Sequence, residues 1–156
     1  LGEAPCRRVQ LPPGQTPSCR MFLCQHLTRE IVWRPEYQSH SVGATEIAAV
    51  AVVAEDAAGY AGVFDHKPRR IREGLLVESG SAPVVLSDLQ KIAVRLERAS
   101  LPKRAPPFVA ALFIRVADRV AAAAALRRGG CSPLVLKDGS CAIGADQANG
   151  VALVFG

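Results

Sequence analysis

Residues 47–64, IAAVAVVAEDAAGYAGVF, and residues 109–126, VAALFIRVADRVAAAAAL, align with each other without a gap. Each copy opens with an apolar run, 47–54 and 109–116, whose length and β-branched content favour a buried strand. Asp56 and Asp118 follow in register, and a carboxylate there accepts hydrogen bonds from the free N–H groups of a first helical turn. Each copy therefore predicts a strand, an N-cap and an Ala-rich helix. The repeat as a whole predicts an α+β fold built from two equivalent units.

The residues after the second copy predict that its unit continues as three strands. The glycine pair at 129–130 ends the Ala-rich helix, since glycine readily adopts the conformation of a helix C-terminus. Two turn-forming dipeptides then separate three short apolar segments, and such dipeptides favour positive φ. The dipeptides are Asp138–Gly139 and Asn149–Gly150, and the segments are 133–137, 140–145 and 151–155. The second unit is therefore expected to be βαβββ, ending in an antiparallel meander.

The first unit starts in the same way but shows fewer clear strands. Residues 74–78 and 83–86 are expected to be strands around a turn at 79–82. Residues 88–99 carry apolar side chains at i, i+3, i+4 and i+7, which predicts an amphipathic helix. The Pro-rich residues 100–107 form the predicted linker. The predicted boundaries are 1–45 for an N-terminal hairpin and the segment after it, 46–100 for the first unit and 101–156 for the second.

The N-terminal region differs from the repeat. Residues 7–11 and 20–27 are expected to be strands joined by a Pro/Gly-rich turn at 12–17. The polar and aromatic residues that follow show no clear periodicity, and they form the most chemically varied part of the chain. We call residues 25–40 the junction.

A duplicated βαβββ unit whose helix begins at an Asp after the first strand resembles the glyoxalase-like branch of the vicinal oxygen chelate superfamily. ADRVAAAAALRRGG at 117–130, with LKDGSCAIGADQANGVALVFG at 136–156, is similar to the closing half of such domains. CQHLTREIVWRPEYQSHSVGA at 24–44 is similar to the segment before the second domain in one group of them. The resemblance implies paired modules that form a curled mixed and antiparallel sheet around a shared cleft.

The resemblance also implies a chemistry. Many members of the superfamily hold a divalent metal, such as Zn, Fe, Mn, Ni or Mg, through His and Glu side chains on strands. A metal with open positions binds two vicinal oxygens of a substrate and stabilises an enediolate or a similar anion. Ala48, Ala110 and Val154 stand at or beside the usual ligand places in this chain, and none of them can bind a metal. A homodimer is also expected.

The polar side chains that suit a binding site are concentrated in the junction. Imidazoles there offer metal ligands or bases, a guanidinium offers a fork for a carboxylate or phosphate, and an indole offers an apolar wall. The predicted ligand-binding residues are His26, Glu30, Trp33, Arg34, Gln38 and His40, and the candidate metal ligands are His26 and His40. Each has a structural alternative. His26 suits the hydrogen-bonded end of a strand, Trp33 suits a core or an interface, and Arg34 suits an ion pair with a neighbouring acid.

Other catalytic motifs are weak in this sequence. There is no GxSxG motif, and Gly59, Gly62 and Gly74 do not form a phosphate-binding loop. Cys24 stands two residues before His26, so the two side chains share one face of a strand and a thiol–imidazole pair is geometrically allowed.

The formal net charge of +5 does not by itself predict a nucleic-acid partner. The basic residues occur as pairs scattered among acids, without the aromatic platform on which bases stack. No apolar run reaches the ~20 residues of a membrane span. We therefore expect a small molecule as ligand, and neither nucleic acid nor membrane as partner.

The five cysteines are odd in number and lack CxxC spacing, so neither a disulfide framework nor a thiolate zinc site is expected. Free thiols indicate a reducing cytosol and predict a cytoplasmic protein. Three classes of function stay open. The first is a metal-dependent lyase, isomerase or dioxygenase whose cleft is completed by upstream sequence or a second chain. The others are a metal-free module that sequesters a small ligand, and a structural or regulatory domain.

Overall fold

The computed structural model describes residues 5–12, 14, 21–64, 67–80 and 82–156. In these residues strands outnumber helices, as the repeat predicts. In chain order they are β1 (Cys6–Gln10), β2 (Phe22–His26), α1 (Arg29–Val32), a 3₁₀ turn (Pro35–Tyr37), β3 (Ala44–Val53), α2 (Ala57–Ala61), β4 (Arg69–Ile71), β5 (Gly74–Val77), β6 (Val84–Ser87), α3 (Leu89–Leu96), β7 (Phe108–Val116), α4 (Arg119–Arg128), β8 (Leu134–Val135), β9 (Cys141–Ile143) and β10 (Ala152–Phe155).

One open eight-stranded sheet contains both units, in the order β4-β5-β6-β3-β7-β10-β9-β8. In each unit the first strand pairs in parallel with the last, β3 with β6 and β7 with β10. The two first strands, β3 and β7, pair antiparallel at the centre. The strand order of one unit is therefore the reverse of the other, and the predicted mixed sheet of paired βαβββ modules is confirmed.

Both helices of the repeat begin where the aligned aspartates predict. The Asp56 carboxylate accepts a hydrogen bond from the Gly59 N–H at 2.9 Å. The Asp118 carboxylate accepts two, from the N–H groups of Val120 at 2.8 Å and Ala121 at 3.0 Å. These bonds satisfy donors that a first helical turn leaves free, so each helix starts directly after its strand.

Two predictions about the first unit were incomplete. Its second strand, β4 (Arg69–Ile71), was not predicted, because an edge strand that is largely exposed and charged lacks an apolar pattern. With β4 the first unit has every element of the second. The helix predicted at 88–99 ends at Leu96, because Glu97 takes a positive φ of 55°.

The helix α3 lies on the opposite face of the sheet from α2 and α4. Along β3, Val52 packs with Tyr60 of α2, whereas its neighbour Val53 packs in the cluster of Ile92 and Leu96 from α3. Along β10, Phe155 clusters with Ala122 of α4, whereas Val154 belongs to the α3 cluster. Because adjacent strand residues point to opposite faces, the repeat helices cover one face and α3 covers part of the other.

The N-terminal strands β1 and β2 form a separate antiparallel pair, in which Cys6 lies opposite His26 and Gln10 opposite Phe22. This confirms the two predicted strands, whereas most of the predicted turn at 12–17 lies outside the described residues. Among the helices of the described residues, none has the length and apolar content to cross a membrane.

Candidate functional site

A cleft runs beside α3 on the face of the sheet that the repeat helices leave uncovered. It consists of two adjoining cavities of about 610 Å³ and 320 Å³, which share Arg95 and Asp138 in their walls. We call this pair of cavities the α3 cleft. The larger part is lined by Arg72, Glu73, Gln90, Lys91, Val94, Arg95, Glu97, Lys137 and Asp138. The smaller part is lined by Ala48, Arg95, Phe113, Ile114, Arg115, Arg119, Asp138, Ser140, Val154 and Gly156.

Arg95 and Asp138 form an ion pair where the two parts of the cleft meet. Nη2 of Arg95 lies 2.7 Å from Oδ2 of Asp138, and the side chains are 30% and 46% exposed. The other carboxylate oxygen, Oδ1, accepts hydrogen bonds from the Ser140 hydroxyl at 2.6 Å and from the Ser140 N–H at 3.0 Å. These hydrogen bonds, assisted by Arg95 and opposed by partial burial, hold the pKa of Asp138 below its usual value.

A second guanidinium reaches the same residue. Nη1 of Arg119, at the start of α4, donates to the backbone carbonyl of Asp138 at 3.1 Å. Within the described part of the chain Arg119 forms no ion pair, whereas Arg115 pairs with Glu46 at 2.6 Å. Two cations therefore reach Asp138, Arg95 at the carboxylate and Arg119 at the backbone carbonyl.

Apolar side chains form part of the lining of the smaller cavity. The Cζ atom of Arg95 lies 5.6 Å from the centroid of the Phe113 ring, within range of a cation–π contact. Ala48 and Val154, which stand where the resemblance places metal ligands, also line this cavity. A lining that combines apolar side chains with polar groups is typical of sites for small organic molecules.

The side chains in the described residues do not fit a bound divalent metal. No three His, Cys, Asp or Glu side chains converge among them in a way that could hold one. A catalytic zinc site ordinarily uses three protein ligands, and Mg or Mn sites use several oxygens. His26 and His40 therefore stay predicted ligands without a third partner in this part of the chain.

The first half of the junction packs around Trp33. The rings of His26 and Trp33 meet edge to face at 5.1 Å, and the Arg29 guanidinium lies 5.0 Å from the Trp33 ring. Nδ1 of His26 is buried and has no hydrogen-bond partner among the described residues. Arg34 makes an exposed contact of 3.5 Å with Glu36, one of the acids that sequence reasoning offered as its partner. Glu30 lies exposed in the first turn of α1.

The second half of the junction lines a different cavity of about 350 Å³, which we call the junction cavity. Gln38 donates to the Trp33 carbonyl at 3.1 Å, and Nδ1 of His40 accepts from the Val42 N–H at 3.3 Å. Its lining residues are Tyr37, Gln38, His40, Val42, Ala44, Thr45, Glu46, Ile47, Ile114, Leu153 and Phe155. The structure thus gathers Gln38 and His40 at one cavity, whereas His26, Glu30, Trp33 and Arg34 do not line it. The six residues stay a prediction.

The thiol–imidazole pair considered for Cys24 is not favoured by the electrostatics. A hydrogen bond with the Cys6 thiol raises the pKa of the Cys24 thiol, with a smaller opposing effect from Arg8. A reactive cysteine needs the opposite shift, because the thiolate is the nucleophile. Cys6, Cys24, Cys131 and Cys141 are free thiols, and Cys19 lies outside the described residues.

Comparisons with known proteins give no family assignment. A scan against protein-family models finds no match, and a search of curated proteins finds no significant one. Among solved structures, the chain is similar to methylmalonyl-CoA epimerase from Mycobacterium tuberculosis, with a TM-score of 0.49 and 20% identity over 75% of this chain and 90% of that chain. It is also similar to a hypothetical protein from Bacillus halodurans C-125, with a TM-score of 0.45 and 13% identity over 70% of this chain and 91% of that chain. The fold is therefore assigned from the strand order, and the function is inferred from the site.

Sequence reasoning missed the residues of the α3 cleft. Arg95 was visible only as a polar position of an amphipathic helix, and Asp138 only as the first residue of a turn dipeptide. A polar helix position and a turn each account for such a residue without any binding site. One signal was available in the sequence. A basic residue stands at each helix end that meets the cleft, Arg95 near the end of α3 and Arg119 at the start of α4.

Proposed function

We propose that the chain binds a small organic molecule in the α3 cleft and does so without a metal. One observation supports this most directly: two adjoining cavities, lined in part by apolar side chains, share a partly exposed Arg95–Asp138 pair. Such a site supplies apolar contact area from Phe113 and orientation from the charged groups. The proposal places the chain in the class of metal-free modules that sequester a ligand.

Support for the other two classes is weaker. A metal-dependent lyase, isomerase or dioxygenase needs a set of ligands that the described residues do not bring together. That function requires ligands from outside them or from a second chain. A purely structural domain does not require cavities of this size next to converging cations.

The proposal is tested by filling one cavity at a time with the same substitution. Ala48 lines the α3 cleft and Ala44 lines the junction cavity, and both are half-buried residues of β3. Replacing either alanine by Phe adds a large ring to one cavity and leaves the other unchanged. The probe is Nile red, a neutral dye whose fluorescence increases in apolar surroundings.

We expect Ala48→Phe to abolish Nile red binding and Ala44→Phe to retain it, while both variants keep a cooperative thermal transition. If Ala44→Phe abolishes binding and Ala48→Phe retains it, the dye binds in the junction cavity, and this result would support the predicted site in the junction. If the dye binds equally to both variants and to the parent chain, the α3 cleft is not a binding site.

A homodimer and a cytoplasmic location belong to the proposal as well. The dimer is supported by exposed apolar side chains on the N-terminal strand pair, including Val9, Phe22 and Leu23. An isolated two-stranded pair is marginally stable in water, so contact with a second copy would stabilise it. Light scattering should give twice the monomer mass of 16.5 kDa, and replacing Phe22 and Leu23 by Glu should give monomers.

A further inference from the structure

We infer that the ligand of the α3 cleft carries an oxyanion, a carboxylate or a phosphate, which Arg95 and Arg119 bind after it displaces the Asp138 carboxylate oxygen that now faces Arg95. This inference rests on the proposed function, because it names the chemical class of ligand for the same cleft. It makes Asp138 a built-in competitor for the ligand.

The two carboxylate oxygens of Asp138 have separate partners. Oδ1 accepts both hydrogen bonds from Ser140 and so stabilises the turn between β8 and β9. Oδ2 contacts only Arg95, at 2.7 Å. Displacing Oδ2 from the guanidinium therefore leaves the turn intact, and a ligand oxygen can take its place without rearrangement of the backbone.

The local charge balance favours an incoming anion. Arg95 has Asp138 as its acidic partner, and Arg119 contacts only the backbone carbonyl of that residue. One positive charge at this point is therefore left without an acidic partner among the described residues. Lys91 and Arg115 also line the cleft and have acidic partners, Asp88 at 2.8 Å and Glu46 at 2.6 Å, whereas Arg72 and Lys137 form no ion pair among the described residues.

Arg95 is already positioned to receive a ligand. Its guanidinium lies over the Phe113 ring, at 5.6 Å from the centroid, so it stays at the cleft when Asp138 releases it. A planar guanidinium presents two parallel N–H groups, which match the two oxygens of a carboxylate or phosphate. The pair is partly exposed, and exposed ion pairs are weak enough to be exchanged for a better-matched anion.

The test measures the affinity of inorganic phosphate and of acetate by titration calorimetry at neutral pH, each as a separate arm. Asp138→Asn removes the competing charge but keeps an oxygen for Ser140, so we expect the affinity of the preferred anion to rise about two- to fivefold. Arg95→Gln and Arg119→Gln should each reduce it about tenfold or more. The arm with the larger change identifies the oxyanion.

Glu36→Gln is the matched control, because Glu36 also forms an exposed ion pair, with Arg34 at 3.5 Å, and neither residue lines the α3 cleft. It should leave both anion affinities unchanged. The inference is overturned if Asp138→Asn behaves like Glu36→Gln, or if neither anion depends on Arg95. If Ala48→Phe still abolishes Nile red binding in that case, the cleft remains a binding site. Only the inference that its ligand is an oxyanion is then wrong.

Discussion

Replacing Ala122 by Leu tests how closely the second repeat helix packs on the sheet. Ala122 has no exposed surface and belongs to a cluster with Ile143 and Phe155, which are 2% and 3% exposed. Its neighbour Ala121 lies exposed on the same helix. Leu at position 122 adds three carbon atoms where the cluster has no open side, whereas Leu at position 121 extends into water.

Overpacking of this kind costs about 1–3 kcal/mol in the free energy of unfolding. For a domain of this size each kcal/mol lowers the melting temperature by about 2–4 °C, so Ala122→Leu should melt about 2–12 °C early. Ala and Leu have nearly equal helix propensity, and Ala121→Leu should therefore stay within about 0.5 kcal/mol of the parent. Calorimetric melting of both variants makes the comparison. Equal melting temperatures would refute the close packing of α4.

Three further expectations concern other parts of the molecule. A Cβ at Gly74 would lie 2.2 Å from the Leu86 carbonyl oxygen at a φ of +151°, whereas one at Gly80 meets nothing within 4 Å at a φ of +105°. Backbone strain alone should lower the free energy of unfolding of Gly80→Ala by ~1–3 kcal/mol, and Gly74→Ala should lose more. Urea unfolding of both variants measures the difference. The pKa of Asp138 is lower in the folded chain than its unfolded value of ~3.9. The ionised carboxylate therefore stabilises the fold above the unfolded pKa, and this stabilisation is lost as the pH falls through the lower pKa of the folded chain. Unfolding midpoints measured from pH 5 to pH 2 should fall less steeply for Asp138→Asn, and an identical slope would contradict this. Alkylation of the unfolded, unreduced chain should label all five cysteines, and a mass short by two labels would contradict a reducing compartment.

The fold was largely predictable because its determinants are local and occur twice. The apolar runs at 47–54 and 109–116 fixed the two central strands, and Asp56 and Asp118 marked the start of each helix. Turn dipeptides with positive φ at Asn149 and Gly150 divided the last strands. Each of these signals depends on neighbours along the chain, so tertiary contacts did not need to be known.

The elements that were misjudged depend on the surroundings rather than on local pattern. The edge strand β4 has partners on one side only, so its two arginines remain in water and hide the strand pattern. The end of α3 was predicted three residues late. Glu97 leaves the helix there, and its carboxylate accepts a hydrogen bond from the Lys137 N–H at 2.8 Å, a partner forty residues away.

The site was harder to predict than the fold because it breaks the symmetry of the repeat. The two units are equivalent, but only the connection between them, α3, covers the face that carries the cleft. Arg95 from this connection meets Asp138 from the second unit, across 43 residues of sequence. The sequence pattern of either unit does not reveal this pairing, because α3 comes to lie beside the turn between β8 and β9 only through the order of the strands in the sheet.

Some of the polar residues in the junction bond to one another, so their density in the sequence does not by itself indicate a binding site. Much of that polarity is satisfied within a few residues, as in the contact of Arg34 with Glu36 and the hydrogen bond from Gln38 to the Trp33 carbonyl. Groups that bond to their own neighbours hold a local segment in shape and do not need to converge on a ligand. In the α3 cleft the cations belong to different elements, Arg95 to α3 and Arg119 to α4, and both reach Asp138. Convergence of charged groups from distant parts of the chain, which local structure does not explain, is the reason for proposing the α3 cleft as the site.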